Sequence, residues 1–176
     1  MQYRIVPLRD GAGQQVVGDD ALVAIWRRLV AEGKVEQLFY FGGINTPEDF
    51  LAYIKGVDLH VCVVVENETN QVRAIIWLTN ISGGTAFVHY ALIGPFSRGV
   101  GRAAVDYWCG LRRPDGQPVL HVLLGITPEY HRDALRVIRI MGFTSLGTIP
   151  SYCRGQGGTG RCGAILSHYE CAKHRR

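Results

Sequence analysis

The stretch from Ala86 to Arg113, AFVHYALIGPFSRGVGRAAVDYWCGLRR, narrows most what this chain can fold into. Phe87, His89, Ala91 and Ile93 fall on one face of an extended segment and Val88, Tyr90 and Leu92 on the other. Ala86 to Ile93 therefore predicts a strand buried on both sides. Gly94-Pro95 ends it. From Val100 onward the apolar positions Val100, Ala104, Tyr107, Trp108 and Leu111 recur at helical spacing, with Arg102, Asp106 and Arg113 between them. The order is strand, loop, helix.

The junction Arg98-Gly99-Val100-Gly101-Arg102-Ala103 is the place for chemistry. The first turn of a helix has N–H groups without intrahelical acceptors and a partial positive charge, so it favours an anion such as a pyrophosphate. Gly99 and Gly101 carry no side chain to hold an anion off, Ala103 is nearly as small, and Arg98 can add a charge-assisted hydrogen bond. The same glycines would also serve a tight turn and nothing more.

Around this unit the chain reads as an alternation of short elements. Tyr3 to Leu8 is a strand closed by a proline motif, and Asp19 or Asp20 caps a helix carrying Leu22, Val23, Ile25, Trp26, Leu29 and Val30 that ends near Gly33. Lys34 to Asn45 is a loop. Thr46-Pro47-Glu48-Asp49 starts a second helix, with Phe50, Leu51, Tyr53 and Ile54, which stops at Gly56. Strands at His60–Glu66 and Val72–Asn80 flank the turn Asn67–Asn70, and Ser82-Gly83-Gly84 leads into the strand at Ala86. After the central helix, Pro114–Pro118 is a loop, Val119 to Ile126 a strand, and Thr127-Pro128-Glu129 a repeat of the earlier helix start. That helix ends at Gly142. Phe143–Pro150 and Ala164–Cys171 close the order β-α-α-β-β-β-α-β-α-β-β around a glycine-rich loop, Arg154 to Gly163. No repeat or linker divides residues 1–176, and one domain is expected.

Composition excludes several classes. The chain has 176 residues, 47% hydrophobic and 19% charged, which suits a globular domain with a real core. No apolar run is long enough for a membrane span and the N-terminus has no signal core, so a cytoplasmic location is expected. Five cysteines without close pairing suit a reducing compartment. A net charge of +4 without a Lys/Arg block gives no reason to expect a nucleic-acid partner.

Pro95-Phe96-Ser97-Arg98-Gly99-Val100-Gly101-Arg102-Ala103 resembles the acetyl-CoA signature of the GCN5-related N-acetyltransferase superfamily, Arg or Gln, two residues, Gly, one residue, Gly or Ala. Arg98, Gly101 and Ala103 satisfy it. A strand before the proline, a helix after the loop, and a second strand-helix unit ending in Met141-Gly142-Phe143 agree with that resemblance, which runs from Tyr3 to Cys171. It implies an α/β fold: a twisted, mostly antiparallel mixed sheet with a splayed central parallel strand pair, Ala86–Ile93 and Val119–Ile126, and helices on both faces. It further implies acetyl-CoA as co-substrate, with pantetheine pairing near Leu92 and Ile93, an N–H there polarising the thioester carbonyl, and the pyrophosphate on Arg98, Gly99, Val100, Gly101, Arg102 and Ala103.

Transfer to an amine requires proton management. His89, on the cofactor strand, matches one place where arylalkylamine N-acetyltransferases of this superfamily carry a histidine base, and an imidazole titrates near neutral pH. It reads equally as a satisfied sheet histidine, and Glu129 or a relayed water are rival bases. The tyrosine that the family usually places as the acid falls at Ile138, and the usual asparagine at His131, while Ala134 matches. Tyr130, Tyr152 and His131 are the candidate substitutes. Leu38-Phe39-Tyr40-Phe41-Gly42-Gly43 either lines an acceptor pocket through Phe39, Tyr40 and Phe41 or lids the core.

No metal is expected: Cys153, Cys162, His168, Cys171 and His174 lack the spacing of a zinc site. The resulting expectation is an N-acetyltransferase acting on a primary amine of a small molecule or peptide, compatible with a homodimer. The competing class is a non-catalytic acyl-CoA-binding or protein-interaction module. An acyltransferase with a longer acyl chain is the third option.

Overall fold

A computed structural model describes residues 2–155 and 160–172. Along the chain lie β1 (Tyr3–Pro7), α1 (Asp19–Ala31), α2 (Val35–Leu38), α3 (Pro47–Ile54), β2 (His60–Glu66), β3 (Val72–Ser82) and β4 (Thr85–Leu92), followed by α4 (Arg98–Gly110), β5 (Val122–Pro128), α5 (Arg132–Ile140), β6 (Thr144–Arg154) and β7 (Arg161–Glu170). The seven strands are ordered β1-β2-β3-β4-β5-β7-β6. The β4–β5 pairing is parallel; β1–β2, β2–β3, β5–β7 and β6–β7 are antiparallel. This is the mixed α/β architecture expected. Its parallel ladder is short, from Thr85↔Val122 to Phe87↔Leu124.

The chain forms two compact units, Met1–Thr79 with His89–Ala104, and Asn80–Val88 with Val105–Arg176. In the first, β2 reads HVCVVVE and is buried from Val61 to Val65, as a β-branched run flanked by β1 and β3 should be. Leu22, Ile25, Trp26 and Leu29 recur at helical spacing along α1 and are all buried. They share a core with Phe50 and Ile54 of α3 and with Val61, Val63, Val65, Ile75 and Trp77 of β2 and β3. Trp26 and Phe50 meet with ring centroids 5.4 Å apart.

α3 starts as its sequence dictates. Thr46 accepts from the Asp49 N–H, the Asp49 carboxylate accepts from the Thr46 N–H, and Pro47 occupies the first turn. α1 starts differently. Gly18 is its N-cap and has no side chain to cap with, and Asp19, the first helical residue, is bonded instead by Gln15 and Lys55. Within the segment expected as loop, Val35–Leu38 forms a single helical turn.

In the second unit β5 pairs with β7 along its whole length, Val122↔Glu170 to Pro128↔Ala164. That ladder corrects two sequence expectations. The strand begins at Val122 rather than Val119, because Val119 donates to the Leu111 carbonyl and His121 to that of Gly84. Thr127 and Pro128 end the strand instead of starting a helix, because they pair with Ile165 and Ala164 of β7. α5 therefore begins at Arg132, with His131 as N-cap.

α5 ends in a Schellman motif, with the Phe143 N–H on the Ile138 carbonyl, the Gly142 N–H on that of Arg139, and Gly142 at φ +92°. β6 outlasts its expected end at Pro150. The bulge between Ile149 and Cys153 absorbs the proline, and Arg161 donates to the Ser151 and Tyr152 carbonyls it leaves behind.

Candidate functional site

The expected cofactor residues begin where β4 runs out, and each successive residue there is tied down by a charged neighbour. Lys34 Nζ donates to the Leu92 carbonyl at 2.7 Å, and the Ile93 N–H donates to the Arg73 carbonyl at 2.8 Å. The Gly94 N–H donates to both carboxylate oxygens of Glu32 at 3.0 Å, and Arg73 Nη2 donates to the Pro95 carbonyl at 3.4 Å. The Leu92 carbonyl and the Ile93 N–H are the two ends of one trans peptide and point opposite ways, so with the N–H on β3 the carbonyl faces away from it.

Gly94, at φ +78°, makes the turn. Beyond it Ser97 Oγ and the Tyr3 hydroxyl lie 3.0 Å apart. α4 starts at Arg98, two residues before the expected start, and its first turn contains no acid that would repel an anion. Arg98 and Arg102 are exposed, Val100 and Gly101 are buried, and Gly99 and Ala103 are half-buried. Gly99 has a packing reason to be glycine: a Cβ there would lie 2.6 Å from Tyr3 Cε2. The Gly101 N–H reaches the Ser97 carbonyl at 3.5 Å, while the amides before it belong to the first turn, where a helix has no acceptor of its own.

His89 sits in β4 with Nε2 2.9 Å from Thr79 Oγ1, and its ring is stacked on Trp77 at a centroid distance of 5.2 Å and an interplanar angle of 8°. Burial pushes its pKa down to about 4, so the imidazole is neutral at physiological pH. Trp77 stacks on Phe39 in turn, with centroids 6.2 Å apart, and Phe39 also meets Phe50 and Tyr53 edge-on. Phe39 is thus a lid on the core. Tyr40 and Phe41 form a separate ring pair at 4.5 Å, with Phe41 56% exposed.

Tyr130 and His131 belong to the second unit, at the turn between β5 and α5, with ring centroids 4.2 Å apart. Ile138, at the position the resemblance gives to a tyrosine, is buried. It packs over Gly125 of β5, where a Cβ would stand in ordinary van der Waals contact, 3.6 Å from Ile138 Cδ1. Nearby, the Glu129 N–H donates to the Gly163 carbonyl, and a Cβ on Gly163 would meet the Glu129 carboxylate at 2.5 Å.

Among the described residues no group of three or more His, Cys, Asp or Glu could hold a metal, and His174 lies outside them, as do residues 156–159 of the glycine-rich loop. The cysteines pair instead: Cys153 and Cys162 face each other across β6 and β7 with sulfurs 3.1 Å apart. Burial, then the hydrogen bond to Cys162, pushes the Cys153 thiol up to about 12. Sequence reasoning passed over Glu32, Lys34 and Arg73. The only signal was a charge pair flanking the helix-ending Gly33.

Several solved structures share this arrangement of strands and helices. The spermidine N-acetyltransferase of Vibrio cholerae in complex with CoA and spermine has 12% sequence identity and a TM-score of 0.73, with 99% of each chain covered. The ribosomal-protein-S5-alanine acetyltransferase of Vibrio fischeri has 14% identity and a TM-score of 0.66, covering 97% of this chain and 93% of its own. A dodecameric structure of the Vibrio cholerae spermidine enzyme in an intermediate state gives 13% identity and a TM-score of 0.68, covering 98% and 96%. No family model and no curated protein sequence matches. The fold is that of the GCN5-related N-acetyltransferases. At these identities the likeness is one of fold. No helix among the described residues is long and apolar enough to cross a membrane.

Proposed function

We propose that this protein is an acetyl-CoA-dependent N-acetyltransferase that acts on a primary amine of a small molecule or peptide. The observation that carries the reading is the β4–turn–α4 junction: a strand end, a left-handed Gly94, and a 13-residue helix whose first turn is free of acids and opens on Arg98, with Arg102 at the start of the second turn. Those features fit a diphosphate on the first-turn amides, with Arg98 adding a charge-assisted bond. Leu92 would contribute the main-chain pairing, since the Ile93 N–H is already bonded to Arg73. Acetyl-CoA would supply a thioester carbonyl open to attack by a neutral amine.

Within this reading His89 is the base. Its burial keeps the imidazole unprotonated, and Thr79 orients the ring. Tyr130 and His131 stand as proton donors. Tyr40 and Phe41, a ring pair of their own, contact the acceptor, while Phe39 packs on Trp77 in the core. The amine class is supported by the spermine complex of a structural neighbour, and the dodecameric neighbour supports self-association of this chain.

The test is release of free CoA from acetyl-CoA in the presence of spermidine, arylalkylamines and peptides with a free N-terminus, alongside a CoA titration of Gly101→Leu. Turnover with at least one amine and lost affinity in Gly101→Leu are the expected results. Absence of CoA binding by the native protein would end the proposal. Ile138, buried where the resemblance expects an acid, favours a second reading, a non-catalytic acyl-CoA-binding module. CoA binding without turnover on any amine would select it.

A further inference from the structure

The end of α1 is built to present two opposite charges to the end of β4. The helix closes in a Schellman motif: the Lys34 N–H bonds the Leu29 carbonyl at 2.9 Å, the Gly33 N–H bonds that of Val30 at 3.0 Å, and Gly33 has φ +63°. Glu32 is the C-cap and Lys34 follows the glycine, so a rigid turn fixes both side chains at their roots. Their heads touch, Lys34 Nζ to Glu32 Oε2, at 2.5 Å, with Arg28 3.8 Å from the other carboxylate oxygen.

The pair grips main-chain groups two residues apart where β4 passes into the Gly94 turn, Lys34 the carbonyl of Leu92, the last strand residue, and Glu32 the Gly94 N–H. One donor and one acceptor offered side by side to the main chain at a strand's end is what the amide of an added extended chain would offer. Pantetheine carries two such amides.

We infer that the Glu32–Lys34 pair is an internal stand-in for the amide-bearing arm of acyl-CoA, satisfying Leu92 and Gly94 when no ligand is bound and giving them up when the arm pairs there. The inference rests on the acyl-CoA reading proposed above. Leu92 and Gly94 are half-buried, and an occupant in both states keeps the Leu92 carbonyl and the Gly94 N–H hydrogen-bonded. The present occupant can leave. Each side chain keeps 27% of its surface in solvent, and an ion pair so placed exchanges for water with little loss. In the free protein the pair competes with the ligand and lowers its apparent affinity.

The test is calorimetric titration of the full-length protein with CoA and with acetyl-CoA, using native protein, Lys34→Met and Glu32→Ala, with folding checked by circular dichroism. Removing either member is expected to tighten binding by about 3- to 10-fold, the scale of one or two weak contacts released from competition. The Gly94 amide resonance is expected to move on CoA addition to the native protein and to be already displaced in Glu32→Ala. Unchanged or weakened affinity in folded variants would overturn the inference, since the pair would then be a strut or a ligand contact. CoA binding by none of the three proteins would instead remove the acyl-CoA reading, and the inference with it.

Discussion

Protonating His89 should destabilise this protein in a way that one substitution removes. Its imidazole has a folded-state pKa of about 4, lowered by burial, whereas an unfolded histidine titrates near pH 6.5. The folded pKa is the lower one, so between these values the unfolded chain binds the extra proton and stability rises with pH. Acidification therefore costs stability progressively from about pH 6.5 down to about pH 4, below which both states are protonated. At about pH 5 the unfolded histidine is almost fully charged and the folded one about a tenth charged, a loss of about 2 kcal/mol relative to pH 7.5. The full loss below about pH 4 comes to about 3 kcal/mol. Against a typical stability of about 5–15 kcal/mol either figure is large.

Urea unfolding followed by circular dichroism, at about pH 7.5 and about pH 5, measures the effect. His89→Gln keeps a polar partner for Thr79 and cannot take up the proton. The native protein should lose about 2 kcal/mol more than His89→Gln between the two conditions. The comparison is needed because burial lowers the pKa of His60 as well, and its contribution survives in the variant. Equal losses in both proteins would show that His89 is hydrated or paired with an acid, and the burial argument would be wrong.

Gly99→Ala places a Cβ 2.6 Å from Tyr3 Cε2 and should destabilise by about 1–3 kcal/mol through overpacking; recovery of the midpoint in Gly99→Ala/Tyr3→Leu would confirm the clash, and an unshifted single variant would refute it. Oxidised glutathione should convert the Cys153 and Cys162 thiols, 3.1 Å apart, into an intramolecular disulfide. Two reduced glutathiones are released as the protein loses two hydrogens, and peptide mass analysis should place the link between these residues; a glutathione adduct that persists on Cys162 would contradict the geometry. Leu29→Ala, at a position with 0% exposure, should cost about 2–5 kcal/mol in urea unfolding; a smaller loss would mean the α1 core collapses around the gap.

The sequence by itself determined the parts of this protein whose causes are local. β2 was legible to the residue, because a valine-rich apolar run bounded by turn formers has few other uses. α3 was legible from Thr46, Pro47 and Asp49, and the ends of α1 and α5 from Gly33 and Gly142. The order of the longer elements followed from period and punctuation, whereas the mixed sheet was what the resemblance of Pro95 to Ala103 implied.

Tertiary structure decided whatever depended on a distant partner. Thr127-Pro128 carries a helix-start signal, yet pairing with Ile165 and Ala164 holds it in β5. Pro150 signals a strand end, yet Arg161 caps the bulge and β6 resumes at Cys153. Phe39 and His89 read as site residues, and the fold stacks both on Trp77. Beyond a charge pair flanking Gly33, Glu32 and Lys34 carried no site signal in the sequence, and their role comes from the end of β4 resting against them. Periodicity and capping record only what a residue's near neighbours demand. A contact across some sixty residues is set by how whole elements pack, and short-range pattern holds no trace of it.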